Sequence, residues 1–200
     1  DECRNADIPT DNKTDLLGTL TCNENFDCCS CSSLICSDCV KVECSGDSAC
    51  IGVRPIIVDG NCDLAGAIMA CNGDVSCFRT EIEGECVTSF DCNGDNSCGQ
   101  SLINLNLNTP VPSTLTPINF VFNGDRSVPF STINARNVAA FTCGGDNSCN
   151  ETNIILECRS NGVDVGCPIK GDGDNSAPNS KWSVMNSNLV SCSGDGSCEN

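Results

Sequence analysis

The chain has no histidine and no tyrosine, one tryptophan, and ten lysines and arginines against 27 acidic residues in 200. Each shortage excludes something. Without histidine, the common zinc sites that mix Cys with His cannot be completed. A net charge of −17 argues against nucleic acid and against anionic membrane, both of which call for a basic surface. Cations are the natural counter-species. No run approaches the roughly 18 apolar residues of a spanning helix, so membrane insertion is not expected. The hydrophobic share of 39% counts cysteine; without it the share is about 28%, thin for a globular core of this length.

Cysteine is what the chain has instead, with 21 residues, a tenth of the sequence. At that density, and with no histidine, they read as a disulfide framework in an oxidising compartment, so the protein is expected to be secreted, at the cell surface or extracellular. A chain opening on Asp1, with neither Met nor an apolar signal, fits a processed mature form.

The cysteines follow a heptad, C-x-G-D-x-S-C. Clear copies run from Cys44 to Cys50, Cys71 to Cys77, Cys92 to Cys98, Cys143 to Cys149 and Cys192 to Cys198. Copies starting at Phe122 and Gly171 keep the centre and lose both cysteines, to Phe122/Val128 and Gly171/Ala177; Cys22 to Cys28 keeps only the cysteines. The eight starts are separated by 22, 27, 21, 30, 21, 28 and 21 residues, short and long in alternation. Two residues before each start lies an apolar side chain: Leu20, Val42, Met69, Phe90, Phe120, Phe141, Ile169 and Val190. The residue between is usually polar, which is the alternation of a half-buried strand. Ile103 to Asn108 alternates strictly, and Ile118 to Phe122 and Val184 to Val190 are β-prone.

A repeat of strands, a fixed corner and an inward apolar residue predicts an all-β fold, a disulfide-stapled parallel β-solenoid of about eight coils, a rod near 40 Å long at about 4.8 Å per coil. The competing architectures are a string of small disulfide modules and a four-bladed propeller built on the double step. Residues 22–200 form the solenoid, residues 1–21 an acidic opening segment able to serve as an inter-subunit strand, and 28–39, with five cysteines, a Cys-rich cap or loop. The long steps carry Pro55, Pro110, Pro112, Pro117 and Pro168, so their extra residues are expected as loops on one side.

The two worn copies indicate the pairing. Where one cysteine of a heptad is lost the other is lost too, as expected if each heptad closes its own bridge. The expected pairs are Cys22–Cys28, Cys44–Cys50, Cys71–Cys77, Cys92–Cys98, Cys143–Cys149 and Cys192–Cys198, with Cys62–Cys86 and Cys158–Cys167 outside the heptads. A seven-residue loop contributes roughly 2 kcal/mol on the chain-entropy model. Cys3, Cys29, Cys31, Cys36 and Cys39 remain, an odd number, so one is free or bonds another chain; Cys3 is the expected inter-subunit cysteine. Asn12-Lys13-Thr14 and Asn150-Glu151-Thr152 are sequons for N-glycans. Gly-Asp at the heptad centre is expected to supply a permissive φ and an Asp that caps N–H groups of its own loop; the alternative is calcium between corner carboxylates, at Asp172 and Asp174.

The heptads, Cys44 to Cys198, resemble the Cys-rich repeats of extracellular proteins of algae and other protists, including the structural proteins of flagellar hairs (mastigonemes). The resemblance implies an extracellular glycoprotein with a mechanical or surface role and no catalytic residues to transfer. The expected function is a secreted structural subunit of an extracellular filament, flagellar hair or cell-surface layer, assembling head to tail by self-association, and not an enzyme. Two other classes stay open. One is a calcium-, glycan- or ice-binding solenoid, although Thr114, Thr116, Thr132 and Thr142 make no regular row for ice. The other is a polysaccharide-active β-helix enzyme, which would need clustered Asp rather than one Asp per stapled turn.

Overall fold

The computed structural model describes residues 18–22, 34–60, 62, 66–108, 114–158, 166–187 and 189–197, with backbone alone at 18–22 and 37–39. Among these the regular elements are strands: β1 (Gly18–Cys22), β2 (Leu34–Cys44), β3 (Ile56–Gly60), β4 (Ala67–Cys71), β5 (Glu81–Glu85), β6 (Val87–Cys92), β7 (Leu102–Leu105), β8 (Ile118–Phe122), β9 (Thr132–Cys143), β10 (Asn153–Cys158), β11 (Pro168–Gly171), β12 (Lys181–Met185) and β13 (Leu189–Cys192). They join one 13-stranded parallel sheet that coils on itself. This is a parallel β-solenoid, and its continuous pairing rules out both separate modules and propeller blades.

Each coil has three sides. One side stacks the first half of β2, then β3, β5, β7, the first half of β9, β10 and β12. The second stacks β1, the rest of β2, β4, β6, β8, the rest of β9, β11 and β13. The heptads and the residues after them make the third side, where coils are linked by backbone bonds such as Arg79 N–H to Gly99 O at 2.9 Å.

The apolar residue that precedes each heptad forms one continuous column. Leu20 pairs in register with Val42, then Met69, Phe90, Phe120, Phe141, Ile169 and Val190. The opposite side contributes Leu34, Ile56, Ile82, Ile103, Ile133, Ile154 and Trp182. Phe90, Phe120, Phe122 and Phe141 are fully buried, with ring centroids 5.2–6.2 Å apart. Burial of each ring is worth about 1.5–3 kcal/mol, and each pair about 0.5–1.5 more. Phe122 and Val128 thus replace a cystine by apolar volume at the middle of the core.

Extra residues of the long coils enter at a single corner, between the two sheet sides, at 61–66, 106–117 and 159–167. In the short coils that corner is one left-handed residue, Cys86 (φ 56) between β5 and β6 or Asn137 (φ 57) inside β9. Two expectations are revised. The stretch 28–39 is a cap or loop at most through its first part, because β2 begins at Leu34, with Leu34 and Cys36 buried and Ile35 out. The opening segment does not end at residue 21: Thr19–Cys22 pairs with Lys41–Cys44 of the same chain, so those residues are already used within the first coil.

Candidate assembly surface

At the heptad corners the structure joins Cys44 to Cys50, Cys71 to Cys77, Cys92 to Cys98 and Cys143 to Cys149, with Cα atoms 6.0–6.2 Å apart. Cys62 is bridged to Cys86 in the next coil, and Cys158–Cys167 closes an inserted loop on itself. Cys36, which the sequence leaves unassigned, is disulfide-bonded, and so is Cys192. Cys3, Cys28, Cys29, Cys31, Cys198 and Asn12 lie outside the described residues, as does the side chain of Cys22 and that of Cys39. Bridges in this number are typical of an oxidising environment.

The corner aspartates do something the sequence did not indicate. Each carboxylate accepts an N–H from the next coil, not from its own loop: Asp74 Oδ1 takes Asp95 N–H at 3.0 Å, Asp95 takes Asp125 at 2.9 Å, Asp125 takes Asp146 at 3.0 Å, and Asp146 takes Asp174 at 2.9 Å. The residue after each Asp returns a bond, as Asn96 N–H does to Asp125 O at 2.9 Å. Two reciprocal bonds therefore clasp each pair of coils, and the donated N–H groups offset the repulsion between stacked carboxylates.

Asp172 and Asp174 are not gathered into a calcium ligand set. Asp174 Oδ1 accepts Asp195 N–H at 3.0 Å, and Asp172 Oδ1 accepts the Ser193 hydroxyl at 2.9 Å. Among the described residues the group of metal-type ligands that comes together is Cys71, Cys77 and Cys98. All three are in disulfides and offer no thiolate.

The heptad glycine also has a role different from the expected one. Its φ is not positive; the left-handed residue is the one after Asp, as at Asn96 (φ 56) and Asn147 (φ 56). A Cβ on Gly73, Gly94, Gly124, Gly145, Gly173 or Gly194 would fall on the backbone of the glycine one coil earlier, well under 3.0 Å. Glycine is there because backbone stacks on backbone. Two polar columns went unread as well. Thr80, Ser101, Ser131, Thr152 and Ser180 are buried nine residues after each heptad start and bond across coils, for example Ser101 Oγ–H to Cys77 O at 2.9 Å. That fixed offset was the signal. The heptad serines Ser76, Ser97, Ser127, Ser148 and Ser176 are buried too.

At the end of the stack the columns run out into solvent. β12 pairs only with β10 and β13 only with β11 among the described residues, so one edge of each is open. Val190, the last member of a column buried from Val42 to Ile169, is 60% exposed; Leu189 is 53% and Met185 54% exposed. Trp182 is half-buried edge-on to Phe141, at 5.5 Å. The Asp195 carboxylate has no N–H donor among the described residues, whereas Asp74 to Asp174 each have one. At the other end β1 pairs only with β2 among the described residues.

The flanks mix polar side chains with exposed Ile35, Ile68 and Ile155. Asp59, Glu83 and Glu85 line an open cavity of about 250 Å³ with Asn108, whose N–H bonds Glu85 at 2.9 Å. On the second side, the hydrogen bond from Lys41, with Ser45, holds the Glu43 carboxyl below its ordinary range, while burial pushes Asp91 up against the opposing effect of Ser89. Asn150 lies on the third side, half-buried. No family model, characterised protein or solved structure matches the chain.

Proposed function

We propose that the chain is a structural subunit whose solenoid stacks head to tail, secreted and built into an extracellular filament, flagellar hair or cell-surface layer. The observation that carries this reading is the open end coil. It combines strand edges that have no partner among the described residues, and such edges pair with any complementary strand, with exposed Met185, Leu189 and Val190 and an Asp195 carboxylate that receives no N–H among the described residues. The occupant that fits is a second copy, because β1 lies on β2 in the same parallel pairing that joins the later coils. A contact between two different ends does not close and generates a filament. Cys3 is the candidate for an intermolecular lock at the joint. Disulfide staples and buried columns suit a load-bearing rod, and one aspartate per coil serves the clasp rather than catalysis.

Oxidised protein should show concentration-dependent mass by light scattering and rods of variable length by electron microscopy. Association should strengthen with salt, since copies carrying −17 repel one another. Val190→Lys should abolish it with the monomer fold intact. A monodisperse monomer at high concentration and moderate salt, with every cysteine but one bridged internally, refutes the proposal.

A further inference from the structure

One side chain on the third side stands out from its counterparts in the other coils. The residue eight positions after each heptad start is left-handed: Gly52 (φ 69), Arg79 (φ 58), Gln100 (φ 56), Phe130 (φ 57), Glu151 (φ 52) and Asn179 (φ 56). Five are glycine or polar. Phe130 is a bulky aromatic in a conformation that costs such a residue energy, and it is 54% exposed, the one aromatic among the exposed large apolar side chains of the described residues. It lies far from the end coil, so stacking of copies does not cover it. Phe78, by contrast, already has the Arg79 guanidinium over its ring at 5.3 Å.

Phe130 borders a cavity of about 400 Å³ with Asn150, the sequon asparagine one coil on. That volume is within the range of ligand sites, about 300–1,000 Å³. The two residues are direct neighbours, since Phe130 N–H bonds Asn150 O at 3.0 Å. Around them stand Arg126, Asn147 and Gln100, donors and acceptors suited to sugar hydroxyls. An aromatic face beside amides and a guanidinium is the chemistry that holds a pyranose, its C–H face on the ring and its hydroxyls on the polar rim.

We propose that Asn150 carries an N-linked glycan whose first sugars seat in this cavity on the face of Phe130. In the attachment step the Asn150 Nδ2 bonds the anomeric carbon of a lipid-pyrophosphate-linked oligosaccharide. The anomeric carbon–oxygen bond to phosphate breaks, the lipid pyrophosphate leaves, and the amide loses one proton. Attachment precedes folding of this coil, because in the folded chain Thr152 is buried and its hydroxyl bonds Val128 O at 2.7 Å. The inference rests on the secreted part of the proposed function and not on filament formation; a glycosylated monomer would refute the filament and leave the glycan standing.

The test is a double-mutant cycle in chain secreted from a eukaryotic host, in an Asn12→Gln background so that one sequon remains. Intact mass should show one glycan, absent in Asn150→Gln. Losing the glycan should lower Tm by about 2–4 °C, the shift for a contact of this size in a chain this long. With Phe130→Gly, which matches Gly52 and relieves the backbone, the same loss should change Tm by less than 1 °C. An unmodified Asn150 overturns the proposal, and so does a glycan whose removal shifts Tm equally with and without Phe130.

Discussion

Gly144 and Gly145 are adjacent, yet a methyl group added to each should act in opposite directions. On Gly145 the new Cβ would sit 2.6 Å from Gly124 C and 2.7 Å from Asn123 O, both backbone atoms of the previous coil. Ordinary contact begins near 3.4 Å, so the coils must part by about 0.7–1 Å, roughly a fifth of a 4.8 Å strand spacing. Bonds at their normal length cannot follow. Asp146 N–H to Asp125 Oδ1 (3.0 Å), Arg126 N–H to Asp146 O (2.9 Å) and Gly144 N–H to Phe122 O (2.8 Å) would all lengthen past useful range. At about 1 kcal/mol net per bond, Gly145→Ala should cost about 3 kcal/mol, a fall in Tm of about 6–12 °C. On Gly144 the Cβ meets Asn123 Oδ1 at 2.6 Å, the tip of an exposed side chain that can swing away, and the φ there is not positive. Gly144→Ala should be neutral or stabilise by up to about 1 kcal/mol through the unfolded chain. Thermal melts of the oxidised variants by circular dichroism measure both. Equal losses at the two positions, or a Gly145→Ala melt within 1 °C of the parent, would refute backbone-on-backbone stacking as the reason for the heptad glycine.

Removing a whole staple, Cys71→Ala with Cys77→Ala, should cost about 2 kcal/mol and keep the other bridges. Cys71→Ala alone leaves the Cys77 thiol within 4.8 Å of Cys98 Sγ, so exchange should form Cys77–Cys98 and release Cys92 as a thiol; peptide mapping that finds Cys92–Cys98 intact speaks against it. Burial raises the Asp91 pKa, so the folded chain holds that proton more tightly than the unfolded chain, and stability falls as pH rises from the unfolded value through the folded one. Asp91→Asn should therefore raise Tm at neutral pH and leave it unchanged well below the carboxylate range; a gain that persists in acid contradicts this. Asp146→Ala removes an acceptor used inside the chain and should lower Tm, whereas Asp195→Ala should leave the monomer melt unchanged and weaken association measured by light scattering.

How much of this is legible in the sequence depends on whether partner residues share a phase. The column in register from Leu20 to Val190, buried from Val42 to Ile169, was readable because stacking in register demands the same offset from every heptad, and the solenoid follows from that demand alone. The bridge between a heptad's own cysteines was readable because the Phe122/Val128 and Gly171/Ala177 copies lose both together. The aspartate clasp was not. A carboxylate followed by backbone N–H groups looks the same whether it bonds its own loop or the next one, and the two differ only by a translation along the rod that no local pattern encodes. For glycine, φ freedom and lack of a Cβ favour the same residue, and the left-handed position belongs to the residue after Asp, which is Asn at Asn96, Asn147 and Asn175, a type that tolerates it, but Ser48, Val75 and Arg126 in other coils.

The irregular spacing has its explanation in the same clasp. At the heptad corner the glycines from Gly73 to Gly194 lie against backbone, and the aspartates from Asp74 to Asp174 are bonded to the coils on both sides, so no residue can be added there without separating coils. At the corner between the two sheet sides, neighbouring coils meet through a bulge or a left-handed residue such as Cys86 or Asn137, and a chain can leave and return without breaking a ladder. All three insertions, at 61–66, 106–117 and 159–167, sit at that permissive corner, and two of them carry an added bridge, Cys62–Cys86 and Cys158–Cys167. Each insertion displaces the sequence count but not the register, because the next heptad resets the phase against the coil before it. The alternation of short and long steps is therefore a property of one corner, and a seven-residue motif stays recognisable across steps that vary from 21 to 30 residues because its glycine and its aspartate are both held by the repeat in the neighbouring coil.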